Sequence, residues 1–315
     1  MKKTLAQAVD FYLTTRRQFG FALQQVGVEL RSLVAYAQQV GHRGPLTTEL
    51  ATQWAERPQS CAPGYRLLRL DIVRRFAQFW CAYDPRTQIP PRSDSNQRYR
   101  RRPVHIYSPE EVGALVEAAG ALGRVHPLRA WTFRSVIGLL DCTGLRISEA
   151  LKLSDRDIDP TAGVLTIRQA KNGHTRLIPV QASTLEALKR YQTLRKKAIG
   201  CAVAPRLFVT FRGEPVGYFG LSASFRHLCR GLGWTHAPVP RLHDLRHTFA
   251  VRTLLAWYRS GDPVGPKLWT LSTYLGHRHL ADTYWYLTAV PELMHLCHER
   301  FALAQGWASE ARAHD

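Results

Sequence analysis

A chain of 315 residues with 43 Lys and Arg against 24 Asp and Glu carries a formal net charge of +19. That length argues for two domains rather than one, and the charge favours phosphate contact through counterion release. No uninterrupted apolar stretch approaches a bilayer span, and Met1-Lys2-Lys3-Thr4 lacks the apolar core of a secretory signal, so an intracellular soluble protein without a membrane partner is expected.

Residues 1–85 read as a helical domain. Leu5, Val9, Tyr12 and Leu13 share one helix face, and Leu30, Leu33, Val34 and Ala37 share another before Gly41. A short helix follows Thr47-Thr48 through Trp54, and a further one sets Leu68, Ile72, Phe76, Phe79 and Trp80 on an apolar stripe. Arg66, Arg69, Arg74 and Arg75 surround that stripe, so one face can pack while another meets nucleic-acid phosphate; a merely solvated face is the competing reading.

From 86 to 107 the periodicity breaks at Pro90-Pro91, Ser93, Ser95, Asn96 and Pro103. Six arginines (Arg86, Arg92, Arg98, Arg100, Arg101 and Arg102) stand there against the single acid Asp94, which makes the segment a basic interdomain linker. Arg98, Arg100, Arg101 and Arg102 are candidate DNA contacts. About twenty extended residues reach at most ~66 Å, enough to cross a DNA duplex.

A second domain, 108–290, opens at Ser108-Pro109-Glu110-Glu111, where Ser108 and Glu111 have capping-box spacing and Pro109 suits the first helical position. Helices are expected through Cys142. Gly144 then permits a tight bend that sets Arg146 at the N-terminus of a helix over 147–153, where amide dipoles attract an anion; an arginine that only caps or salt-bridges Glu149 is the local alternative. Residues 164–168 and 176–180 are β-rich runs around Asn172-Gly173, a hairpin signal with Lys171 at its edge.

His243 and Arg246, three positions apart, share a face on a helix, whereas His247 would point about 100° away and reads as structural. His277 and Tyr286 lie nine positions apart, about 2.5 helical turns, so a break must fall between them, with Asp282 as the candidate cap of the new helix. Tyr284 and Trp285 read as core aromatics. Pro291 then opens a last helix, within 291–315, with Leu293, Leu296, Cys297, Phe301 and Ala304 on its apolar stripe and Glu292, His295, Glu299 and Arg300 elsewhere.

The six cysteines form no C-x-x-C pair and suit buried thiols in a reducing compartment. His295-Leu296-Cys297-His298 groups possible ligands within an ordinary amphipathic pattern, so neither metal nor other cofactor is expected. Two arginines, two histidines and a tyrosine suit attack on a phosphodiester: guanidinium forks fit non-bridging oxygens, and a phenol becomes a nucleophile once a base removes its proton.

Thr143-Gly144-Leu145-Arg146-Ile147-Ser148-Glu149, His243-Asp244-Leu245-Arg246-His247, Leu275-Gly276-His277 and Tyr286, in this order, resemble the tyrosine recombinase (phage integrase) family. Gly261-Asp262-Pro263-Val264-Gly265-Pro266 lengthens the interval before His277 and looks more like transposon-borne members. The resemblance implies a mainly α fold with a small β-sheet: an N-terminal helical core-binding domain and an α+β catalytic domain, clamped around double-stranded DNA. It implies a site-specific recombinase working through a 3′-phosphotyrosyl link, with Tyr286 as nucleophile, His243 as its base, Arg146 and Arg246 on the phosphate oxygens, and His277 as hydrogen-bond donor. Lys171, on the hairpin, would protonate the leaving 5′-oxygen. The resemblance further implies a homotetramer on DNA, joined by docking of the last helix in a neighbouring protomer. Accessory recombinases beside it and a place on the cytoplasmic nucleoid are also expected. Type IB topoisomerases share this chemistry, and a non-catalytic DNA-binding accessory protein is the other alternative; a metal-dependent nuclease would need a carboxylate cluster that the sequence lacks.

Overall fold

Thr4 starts the first helix. In the computed structural model, which describes residues 3–57, 61, 63–92, 103–168, 175–200, 205–288 and 290–304, its hydroxyl accepts from Gln7 N–H while the Gln7 side chain accepts from Thr4 N–H, closing a capping box. Helices α1 (Leu5–Gln18), α2 (Gln24–Gln39), α3 (Thr48–Glu56) and α4 (Pro63–Trp80) build the N-terminal unit. Their inward faces bury Val9, Leu13, Leu30, Leu33, Trp54 and Phe76, as a helical apolar stripe requires.

The expected α4 stripe packs inward at Ile72, Phe76, Phe79 and Trp80 and fails only at its first member. Leu68 is 49% exposed, whereas Ile72, Val73, Phe76, Ala77 and Trp80 are buried. Arg69 takes the inward position instead, its Nε 3.4 Å from the buried Glu29 carboxylate and its guanidinium 3.6 Å from the centre of the Trp54 ring. Tyr65 also donates to Glu29, at 2.6 Å. A carboxylate removed from water needs such partners, and the expectation that Arg69 meets DNA is corrected: it is a cation of the unit's interior. Arg75 is exposed beside Asp71, Arg74 donates to the Pro90 carbonyl at 2.7 Å, and Arg66 is half-buried. Arg98, Arg100, Arg101 and Arg102 lie outside the described residues.

The chain divides into two units, Met1–Arg101 and Arg102–Asp315, and the expected linker is folded into them at both ends. Thr87 is buried, and Gln88 N–H donates to Leu46 O while its side chain accepts from Thr48 N–H. At the other end Tyr107 is buried, its N–H donating to Thr248 Oγ1 and its hydroxyl to the Arg241 carbonyl, each at 3.0 Å. The boundaries expected after residues 85 and 107 therefore cut through packed chain.

In the second unit α5 (Pro109–Ala118) carries the expected Ser108–Glu111 capping box. It is followed by α6 (Pro127–Thr143), α7 (Ile147–Ala150), β1 (Ile158–Asp159), β2 (Val164–Ile167), β3 (Arg176–Pro179), α8 (Ala182–Ile199) and α9 (Tyr218–Gly231). The three strands form an antiparallel sheet in chain order, with Leu165 opposite both Ile158 and Ile178. Leu165 and Ile178 join a core with Ile137, Leu188 and Phe225. β1 adds a strand to the expected hairpin, and Lys171 lies outside the described residues. The fold is mainly α with a small β-sheet.

Helices α10 (Asp244–Arg259), α11 (Val264–Leu275), α12 (Ala281–Tyr284) and α13 (Pro291–Ala304) complete the unit around a second core of Val251, Leu254, Leu268, Leu271, Tyr286 and Leu293. Gly144 and Gly276 cap α6 and α11 at φ of 60° and 67°, in the left-handed region that favours glycine. A Cβ on Gly144 would come 2.5 Å from the Phe249 ring, and one on Gly276 2.9 Å from the Arg176 guanidinium. The break required before Tyr286 is there. Leu280 caps α12, and Asp282, expected as the cap, falls in its first turn, where a carboxylate still complements the helix dipole.

In the single chain α13 rests on its own unit. Leu293 is fully buried, and Arg300 donates to the carbonyls of Trp257, Tyr258 and Asp262 at and beyond the end of α10. Arg300, off the apolar stripe, is thus the anchor, while Phe301 on that stripe is 53% exposed. Among the described residues no helix is long and apolar enough to cross a membrane.

Candidate active site

Arg146 is the N-cap of α7 and is tied to Glu149 twice, its N–H donating to Oε2 and its Nη1 to Oε1, each at 3.0 Å. Capping and ion pairing, set against anion binding in the sequence, are therefore both present, and they leave Nη2 to donate to the Gly276 carbonyl at 2.9 Å. Arg246, in the first turn of α10 and 2% exposed, donates to Gly144 O at 2.9 Å and Leu275 O at 2.7 Å. Arg176 reaches in from β3, its Nε donating to Tyr274 O at 2.9 Å and its terminal nitrogens to both Glu149 oxygens at 3.0 and 2.8 Å.

Three consecutive carbonyls ending α11, those of Tyr274, Leu275 and Gly276, thus receive three different guanidinium groups. The last carbonyls of a helix lack intrahelical partners and form the negative end of its dipole, so they hold cations well. Burial by itself would raise the Glu149 carboxyl; hydrogen bonds and charge from Arg176, and then Arg146, override it and bring the pKa to about 2. Burial lowers Arg246 to about 10, which leaves it protonated at neutral pH.

Tyr286, in the 3-10 turn after α12, is 3% exposed. Burial raises its pKa, while the charge of Arg246, a hydrogen bond with that side chain and the charge of Arg146 pull the other way without prevailing. Its phenol is protonated at neutral pH and needs a base to become a nucleophile. The His277 ring stacks on it at 5.9 Å between centroids, and His277 Nδ1 lies 2.7 Å from the hydroxyl of fully buried Thr283. Burial, then Arg246 and Arg146, lower His277 to about 4, so the imidazole is neutral.

His243 joins through a neighbour. Its ring lies 4.9 Å from that of His247, which in turn lies 5.5 Å from Tyr286 and 4.9 Å from Trp285. His243 keeps an exposed face, yet the protein packed on its inner side, followed by Arg246, lowers its pKa and keeps it neutral. Tyr284, expected in the core, is 49% exposed instead; it stands two positions before Tyr286, about 200° round a helix, and so on the outer face.

The structure gathers Arg146, Arg246, His277 and Tyr286 into one cluster, with His243 one ring away. Glu149 as a shared anchor, Arg176 and Thr283 were not anticipated as members. Glu149 stood in the motif beside Arg146, but Arg176 is 27 residues from Glu149 and 98 from Tyr274, a distance no local pattern spans.

Comparison with known proteins bears on this cluster. The model of the phage integrase family matches residues 107–292. A putative integrase/recombinase of Sinorhizobium fredii is 41% identical over 300 residues, covering 92% of this chain and 95% of that protein. The tyrosine recombinase XerD of Ralstonia nicotianae is 27% identical over 288 residues, with 89% and 88% covered. The Tn1549 transposon integrase, solved with transposon right end DNA, shares the fold at a TM-score of 0.65 and 18% identity over 95% of this chain and 100% of that one. With the family match running across every element that carries the cluster, this chain belongs to the phage integrase family and is a tyrosine recombinase.

Proposed function

We propose that this enzyme is a site-specific recombinase that cuts and rejoins double-stranded DNA through a 3′-phosphotyrosyl intermediate on Tyr286, in the integration, excision or transposition of a mobile element. The observation that carries the reading is the buried Tyr286 phenol under the charges of Arg246 and Arg146, with the His277 ring stacked on it. The Tyr286 oxygen attacks the scissile phosphorus as its proton passes to the neutral His243. The bond to the 5′-oxygen breaks, and Lys171 protonates that leaving oxygen. Arg146 and Arg246 hold the non-bridging oxygens as charge accumulates, and His277 donates a hydrogen bond to one of them.

The new phosphodiester conserves the bond energy, so a 5′-hydroxyl from another strand reverses the chemistry without ATP. Two such rounds pass through a Holliday junction in a homotetramer, in which α13 leaves its own unit for a neighbour, with accessory recombinases where the element supplies them. Arg66, Arg74, Arg75, Arg98, Arg100, Arg101 and Arg102 contribute phosphate contacts, and the enzyme works on the nucleoid. The direct test incubates the protein with nicked duplexes from the ends of its flanking genetic element, in EDTA, and maps the covalent joint by peptide sequencing. A 3′-phosphate on the peptide bearing Tyr286 is the expected product; a strict magnesium requirement, or a joint elsewhere, overturns the reading.

Thr283 gives a finer expectation. His277 donates to phosphate from Nε2–H only in the tautomer whose Nδ1 accepts, and the Thr283 hydroxyl 2.7 Å away is the donor that this role requires. Thr283→Val keeps the shape and removes that donor, so cleavage should slow about tenfold, the kinetic equivalent of roughly 1.4 kcal/mol, at unchanged DNA affinity. Thr283→Ser should restore the rate, and a Ser variant as slow as Val would count against the hydrogen bond.

A further inference from the structure

We propose that Arg176 is a positioning residue for strand cleavage: by holding both oxygens of Glu149 against the end of α11, it fixes the Arg146 guanidinium where the scissile phosphate arrives. The inference rests on the role proposed for Arg146 and extends it to a side chain on a different element. Glu149 has two oxygens and serves three donors from Arg146 and Arg176, besides the Arg146 N–H. Without Arg176 the carboxylate would face the buried junction with Arg146 as its only bonded cation.

The geometry is over-determined. The guanidinium of Arg176 is only 13% exposed, and its third nitrogen is bound to Tyr274 O, so it cannot swing toward solvent without breaking three hydrogen bonds. Tyr274 O and Gly276 O sit two residues apart on one helix end, which puts the supports of Arg176 and Arg146 on one rigid element. The left-handed Gly276 leaves the space that the Arg176 guanidinium fills; any Cβ there would collide with it. A bidentate fork with a third donor pointing sideways is a geometry lysine cannot reproduce.

The charged groups around Glu149 are Arg146 at its own helix start, Arg176 from β3 and Arg246 from α10. Arg176 is the one that contributes most to keeping the carboxyl ionised against the cost of its burial. Its removal raises the Glu149 pKa, and a protonated Glu149 gives up one of its bonds to Arg146. The defect should therefore deepen with acidity, which a merely weakened fold would not produce.

The test compares wild type, Arg176→Gln and Arg176→Lys on a nicked duplex at saturating DNA from pH 5.5 to 8.5, with the melting temperature of each protein. Arg176→Gln is expected to cleave about 10²-fold more slowly at pH 7, the loss typical of a small displacement of a reacting group. Its rate relative to wild type should fall several-fold more toward pH 5.5. Arg176→Lys, which keeps a charge near Glu149, should show a smaller deficit without the acid limb. Carboxyl titration of Glu149 by carbon NMR, which needs no catalysis, should show a raised pKa in Arg176→Gln. Should wild type itself form no covalent joint, the proposed function fails while the titration still judges this network. A Glu149 titration that ignores Arg176→Gln, or a deficit identical in the Gln and Lys variants at every pH, overturns the positioning role.

Discussion

Tyr286→Phe should bind DNA as wild type does and form no covalent joint with a nicked duplex, a loss limited only by the sensitivity of the gel. The substitution removes one oxygen from a side chain that is 3% exposed, and the ring keeps its stacking against His277 and its contacts with His247. Folding is therefore preserved. Arg246 keeps its bonds to Gly144 O and Leu275 O without the phenol, which leaves the phosphate site intact. Tyr284→Phe is the control, since that side chain is half exposed on the outer face; it should still form the joint. An adduct in Tyr286→Phe would sink the assignment of the nucleophile.

Arg246→Lys should be the next most damaging change. One ammonium cannot replace a fork that donates to Gly144 O and Leu275 O and still offers a donor to the Tyr286 oxygen or a phosphate. Cleavage should fall by about 10²–10³-fold, the worth of one preorganised donor at a developing anion. A buried carbonyl left without its donor costs about 1–3 kcal/mol, so melting should drop by about 2–4 °C for each kcal/mol in a unit of this size. Calorimetry and single-turnover cleavage read the two effects separately. A lysine variant that cleaves within tenfold of wild type would remove Arg246 from the phosphate site.

What the sequence made legible was whatever repeats or caps locally. The periodic faces of α1 and α2, the Thr47 start of α3 and the Ser108–Glu111 box all appear where short-range rules place them. The cluster's order was legible too, because each motif is a run of a few residues. Arg69 was misread because an amphipathic pattern assigns arginine outward, and its partner Glu29 stands 40 residues earlier on another helix. Arg176 was missed for the same reason: in a strand it looks like an edge cation until the end of α11 arrives beside it. Tyr284 was misplaced because adjacent aromatics give no hint which one turns inward.

The two glycine caps carry a consequence for how such an enzyme dies in a genome. Gly144 and Gly276 touch no substrate, yet the carbonyl of each fixes one of the arginines, and neither backbone tolerates a side chain without displacing Phe249 or Arg176. A single-base change at either codon would leave every polar member of the cluster in place while spoiling the alignment they depend on. Copies of the gene judged functional by an intact tyrosine and two intact arginines would then include silent casualties, recognisable only by what stands at 144 and 276.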